Sequence, residues 1–102
     1  MKVKYSISGS TLNLLFFGEL DECSAVKTRD IIDEIIEKSN TAKQVVFNLS
    51  GLSFMDSTGI GMLIGRYKKC KSKGMVCYIQ NPSVSIEKII EISGLYKIMP
   101  KI

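Results

Sequence analysis

The stretch QVVFNLS (residues 44–50), followed closely by SFMDSTGIGMLIGRYK (53–68), decides how this chain is read. The first is a continuous apolar run, the pattern of a strand covered on both faces. The second opens on Asp56, Ser57 and Thr58, whose side chains suit the free N–H groups of a first helical turn. Ile60, Leu63, Ile64, Tyr67 and Cys70 then recur at helical spacing and predict the core stripe of a helix over 57–73, with Gly74 as its stop. A buried strand running into a capped helix is the first part of a strand–helix–strand unit, and such units make right-handed crossovers.

The flanks fit this unit. Upstream, Asp21 is expected to cap a helix over 22–38 that turns Thr28, Ile31, Ile32, Ile35 and Ile36 inward, with Asn40 at its end. Before it, Val3, Tyr5 and Ile7 alternate with polar residues, as in a half-buried strand, and Gly9-Ser10 offers a turn. Leu12, Leu14 and Phe16 then share one face of a second strand, with Leu15 and Phe17 on the other. Downstream, MVCYI (75–79) reads as a buried strand, and Asn81-Pro82 as a cap with proline at the first helical position. The following helix carries Ile86, Ile89 and Ile90 and stops at Gly94, and YKIM (96–99) is expected to add a short last strand. The expectation is an α/β fold: one domain over 1–102, with a small mixed sheet of four to five strands covered by helices.

Composition narrows the function. A chain of 102 residues with 45% hydrophobic content supports one domain with a real core. The net charge is +4, yet the lysines are scattered apart from Lys68, Lys69, Lys71 and Lys73, which read as a solvated helix end. No aromatic-and-basic surface motif accompanies them, so nucleic acid is not an expected partner. The chain has no histidine, which excludes Ser-His-Asp and Cys-His catalysis and His-ligated zinc. Cys23, Cys70 and Cys77 form no C-x-x-C pair and sit among apolar neighbours, as reduced, buried thiols would. The N-terminal MKVKYSIS lacks the apolar core of a signal peptide, and the apolar runs are too short to cross a membrane. A cytoplasmic protein without membrane association, cofactor or metal is expected.

The glycines after Ser57 need a reason, because each costs about 1 kcal/mol against alanine inside a helix. Gly61 and Gly65 lie one turn apart and are expected to let a neighbouring element approach closely, and Gly59 to keep the surface beside Ser57 bare; three such residues suggest a tight fit, either to the sheet or to another protein. The spacing Gly59-x-Gly61-x-x-x-Gly65 is one residue too long for a dinucleotide loop, and no phosphate-binding P-loop is present, so a nucleotide-binding role ranks low. Ser57 lies in no G-x-S-x-G elbow and has no histidine to activate it. A hydroxyl at the positive end of a helix is a poor nucleophile there and a good acceptor of phosphate.

LSFMDSTGIGMLIGRYK (52–68) resembles the signature of the anti-sigma factor antagonists, the STAS-domain family, and is most similar to its sporulation branch. The resemblance extends over nearly the whole chain, through GELD (18–21), VVFNLSGLSFMDSTG (45–59) and SGLYKIMP (93–100). It implies that the family's phosphorylated serine falls on Ser57, and that Asp21, Asn48, Asp56, Thr58 and Gly59 belong to the partner-binding surface around it. It also implies a binding module, not an enzyme. The unmodified form would bind an anti-sigma factor that is also a serine kinase, releasing the sigma factor. Phosphorylation would break the complex, and a PP2C-type serine phosphatase would reset it. A regulatory role in a general-stress partner switch is the alternative. Two departures stand out: Thr58 replaces the second serine of many members, and the chain stops at Ile102 where members usually continue into a final helix.

Overall fold

The computed structural model describes residues Met1–Ile102. Strands β1 (Lys2–Ser8) and β2 (Thr11–Leu20) form an antiparallel hairpin. Helix α1 (Ala25–Lys38), strand β3 (Gln44–Met55), helix α2 (Ser57–Ser72), strand β4 (Val76–Gln80) and helix α3 (Val84–Ser93) follow, then a 3-10 turn over Leu95–Lys97. The sheet is mixed and runs in the order β1-β2-β3-β4, with β3 parallel to both neighbours.

One face of this sheet carries the core. Leu12, Leu14 and Phe16 of β2 stand beside Val45, Phe47 and Leu49 of β3 and Cys77 and Ile79 of β4, all essentially buried. They join Ile32 and Ile36 of α1, Leu63 of α2 and Ile86 and Ile90 of α3 in a single cluster. The Phe16 and Phe47 rings stack at 6.0 Å between centroids. On the opposite face, Asn13, Leu15, Asn48 and Tyr78 are only partly buried, and Val46 is buried outside that cluster. The apolar run in β3 therefore belongs to a sheet that helices cover on one side, not on both as its composition suggests.

Several local expectations are corrected. β1 is not half-buried along the face of Val3, Tyr5 and Ile7: Val3 is partly buried, while Tyr5 and Ile7 are about half exposed. α1 begins at Ala25 rather than 22: the Asp21 carboxylate accepts from the N–H groups of Cys23 (3.0 Å) and Ser24 (3.1 Å), stabilising a turn ahead of the helix. Ile31 faces outward, and α1 closes on buried Ser39, whose hydroxyl donates to the Ile35 carbonyl at 2.7 Å, rather than on Asn40. α3 is capped by Ser83, and Asn81 instead takes a left-handed turn conformation at φ 54°. YKIM forms no strand. It follows Gly94 (φ 76°) into the 3-10 turn, and β pairing resumes only as a single bridge from Lys101 to Ile79. Cys70 and Cys77 are buried, but Cys23 is exposed.

Candidate functional site

The C-terminal ends of β2 and β3 lie side by side, with Leu20 paired to Met55. The residues that follow each strand therefore emerge at one corner: Asp21 from β2, and Asp56, Ser57 and Thr58 from β3. The Asp56 N–H donates to the Leu20 carbonyl at 3.4 Å and ties the two exits together. Asp56 is the N-cap of α2, and its Oδ1 accepts from the Gly59 N–H at 3.1 Å. Ser57 and Thr58 are exposed on the first turn of this 16-residue helix. The free N–H groups and the helix dipole make that turn electropositive, a setting that stabilises an anion by about 0.3–1 kcal/mol.

The glycines divide differently from the sequence expectation. Gly59 is buried, and a Cβ on it would lie 2.7 Å from the Leu20 carbonyl oxygen and 2.7 Å from Met55 Cγ. Its bareness seats α2 against the strand ends instead of clearing the surface beside Ser57. Gly61 and Gly65 are the reverse case: a Cβ on either meets nothing within 4 Å, so no element of this chain packs closely on them. Both line an open groove between the start of α1 and the flank of α2.

Asn48 is not brought to the corner. It lies in mid-sheet on the face without helices, between Leu15 and Gln80, roughly 25 Å along the strand from Asp56 at ~3.3 Å per residue. Its Oδ1 accepts from the Ser50 N–H at 3.0 Å, just before a register shift in the β2–β3 ladder. Two residues that the sequence did not single out complete the corner. Ser24 accepts from the Asp21 N–H at 3.1 Å and donates to the Glu19 carbonyl at 2.8 Å, locking the turn that carries Asp21. Leu20 supplies the carbonyl and side chain against which Gly59 packs. The Asp21-x-x-Ser24 spacing hinted at the first. The second is a contact across 39 positions and had no local signal.

Farther along α2, charge fastens the helix to α1. Arg66 Nε lies 2.9 Å from Asp33 Oδ1, Lys69 Nζ 2.9 Å from Glu37 and Lys73 Nζ 3.3 Å from the same carboxylate. Hydrogen bonds from Lys69 and then Lys73 hold the Glu37 carboxyl below its ordinary value. The Cys77 thiol of β4 is pushed well up, chiefly by its interaction with Cys70 near the end of α2 and then by burial. Neither buried cysteine is at the corner.

Known proteins share this arrangement. The STAS domain family model matches residues 2–102. The anti-sigma F factor antagonist of Paenibacillus polymyxa is 38% identical over 86 residues, covering 81% of this chain and 70% of the relative. That of Lysinibacillus sphaericus is 34% identical over 89 residues, covering 87% and 75%. The anti-sigma factor antagonist SpoIIAA, solved in its unphosphorylated form, superposes with a TM-score of 0.80 at 27% identity, over 99% of this chain and 88% of that one. Bacillus SpoIIAA in its phosphorylated form superposes with a TM-score of 0.72, also at 27% identity, over 99% and 91%. The four-stranded mixed sheet, the strand-end corner and these likenesses together place the chain in the STAS-domain family of anti-sigma factor antagonists.

Proposed function

We propose that this chain binds an anti-sigma factor through the corner formed by Asp21, Asp56, Ser57 and Thr58 over Gly59, and that phosphate on Ser57 ends the complex. It acts in the cytoplasm as a regulatory binding protein. The anti-sigma factor is itself the serine kinase, and a PP2C-type phosphatase restores the hydroxyl. The observation that carries this reading is Ser57 itself: an exposed hydroxyl on the first turn of α2, beside the Asp56 cap. The existence of SpoIIAA in both a phosphorylated and an unphosphorylated form supports the same reading.

The chemistry of the switch is local. A phosphate adds about −1.5 to −2 charges at neutral pH. The dipole of α2 offsets part of the repulsion from Asp56, so the domain keeps its fold. An acidic group of the partner about 5 Å away would repel each added charge by about 3 kcal/mol at an effective dielectric of 20. Half of that is roughly a tenfold loss of affinity. The test compares Ser57→Ala and Ser57→Asp by thermal melting and by titration against the anti-sigma factor. Both variants should melt like the parent. Ser57→Ala should bind and resist release by ATP, and Ser57→Asp should bind weakly. Equal binding by the two variants, or loss of binding through unfolding, sinks the proposal.

A further inference from the structure

A second pocket, about 260 Å³ in volume, lies at the start of α1 and is lined by Met1, Cys23, Ser24, Lys27, Thr28 and Ile31. Thr28 is only 1% exposed, yet its hydroxyl has no hydrogen-bond partner in the chain. The oxygen is not among the buried polar atoms that are wholly sealed off, so it keeps a small accessible surface on the pocket. A hydroxyl at that depth without a partner is costly, and a polar group entering the pocket would supply one.

The rest of the pocket favours an anion. Lys27 lines it, no carboxylate does, and none of the ion pairs of the chain uses Lys27. The first turn of α1 holds no acid, its N-cap Ser24 makes no side-chain cap bond, and the N–H groups of Val26 and Lys27 have no acceptor in the chain. The nearby Asp21 carboxylate is engaged by the N–H groups of Cys23 and Ser24. A lysine beside free first-turn N–H groups is an electropositive setting. Cys23 lines the same pocket and is the exposed thiol, whereas Cys70 and Cys77 are buried. Accessible thiols in electropositive settings are the reactive ones.

We propose that Cys23 is a modification site for small acidic disulfides: Lys27 and the Thr28 hydroxyl hold a carboxylate of the incoming molecule, and Cys23 takes one half of it as a mixed disulfide. The Cys23 thiolate attacks one sulfur of the disulfide. A new S–S bond forms as the old one breaks, and the other half leaves as a thiolate that takes up the proton Cys23 gave up. The disulfide is the only oxidant required, and a small thiol reverses the step. The experiment incubates the folded chain, without reductant, with oxidised glutathione, which is acidic, or with hydroxyethyl disulfide, which is neutral, and follows adducts by intact mass and peptide mapping. The parent should gain one adduct, on Cys23, that dithiothreitol removes. The ratio of the glutathione rate to the neutral rate should fall about threefold or more in Lys27→Glu, fall also in Thr28→Val, and stay at the parent's value in Lys88→Glu, an exposed charge control on α3. Lys27→Glu puts an acid in a helix first turn and Thr28→Val removes an unpartnered hydroxyl, so both should melt no lower than the parent. If the folded parent gains no adduct on Cys23, or if either pocket variant keeps the parent's ratio, Cys23 is only a surface thiol and the proposal falls. If Lys88→Glu lowers the ratio as much as Lys27→Glu does, the effect is general charge and the proposal falls as well.

Discussion

Replacing each of the three α2 glycines with alanine should give opposite signs within one helix. At Gly59 the new Cβ would lie 2.7 Å from the Leu20 carbonyl oxygen, 2.7 Å from Met55 Cγ and 3.1 Å from Leu20 Cγ. Met55 is itself fully buried in the core, so its Cγ has little room to yield. The Leu20 carbonyl is backbone at the end of a central strand, and it also accepts from the Asp56 N–H. Relief therefore requires α2 to lift from the sheet at its first turn. Overpacking of this kind costs about 1–3 kcal/mol, and the better helix propensity of alanine returns at most about 1 kcal/mol. The net loss reaches about 2 kcal/mol, a fall in Tm of up to about 15 °C for a domain of this size. Gly61→Ala and Gly65→Ala meet open space and should each gain about 0.5–1 kcal/mol. Thermal and urea unfolding of the three variants read this directly. A Gly59→Ala protein as stable as the parent, or a Gly65→Ala protein less stable, would refute the account of how α2 is seated.

Leu63 is fully buried in the single core cluster, so Leu63→Ala should cost about 2–5 kcal/mol in urea unfolding. Without denaturant or reductant, a thiol reagent should label Cys23 at once and Cys70 and Cys77 only on unfolding, for three thiols in total. The Glu37 carboxyl is held down by Lys69 and Lys73, Glu34 by Lys38, and Glu87 by Lys101 and then Tyr96. A carboxylate with a depressed folded-state value stabilises above its unfolded value and loses that contribution as pH falls through the folded value. Tm should therefore be flat near neutrality and fall below the ordinary glutamate value of 4.5, with a shallower fall in Glu37→Gln. The Asp56 cap should be worth about 1 kcal/mol, read as the loss of stability in Asp56→Ala.

The order of the elements was legible in the chain because each rests on short-range physics. Apolar spacing marks the faces of α2 and α3, and the alternation through Leu12, Leu14 and Phe16 marks the inner face of β2. The Asp56 cap was legible for the same reason, since it is a contact across three residues. The corner around Ser57 could be located from the motif alone. What spacing does not carry is who sits opposite whom. An apolar run says that Val46 is shielded, yet whether a helix or a neighbouring strand shields it depends on how the layers stack. Glycine shows the limit most plainly. Gly59, Gly61 and Gly65 are the same residue in one helix, and only the arrival of Leu20 from 39 positions away makes the first obligatory and leaves the other two bare. The family resemblance assigned Asn48 and Asp21 alike to the surface around Ser57. The parallel pairing of β2 and β3 carries Asp21 to the corner and leaves Asn48 in mid-sheet, because that pairing aligns strand ends rather than sequence neighbours.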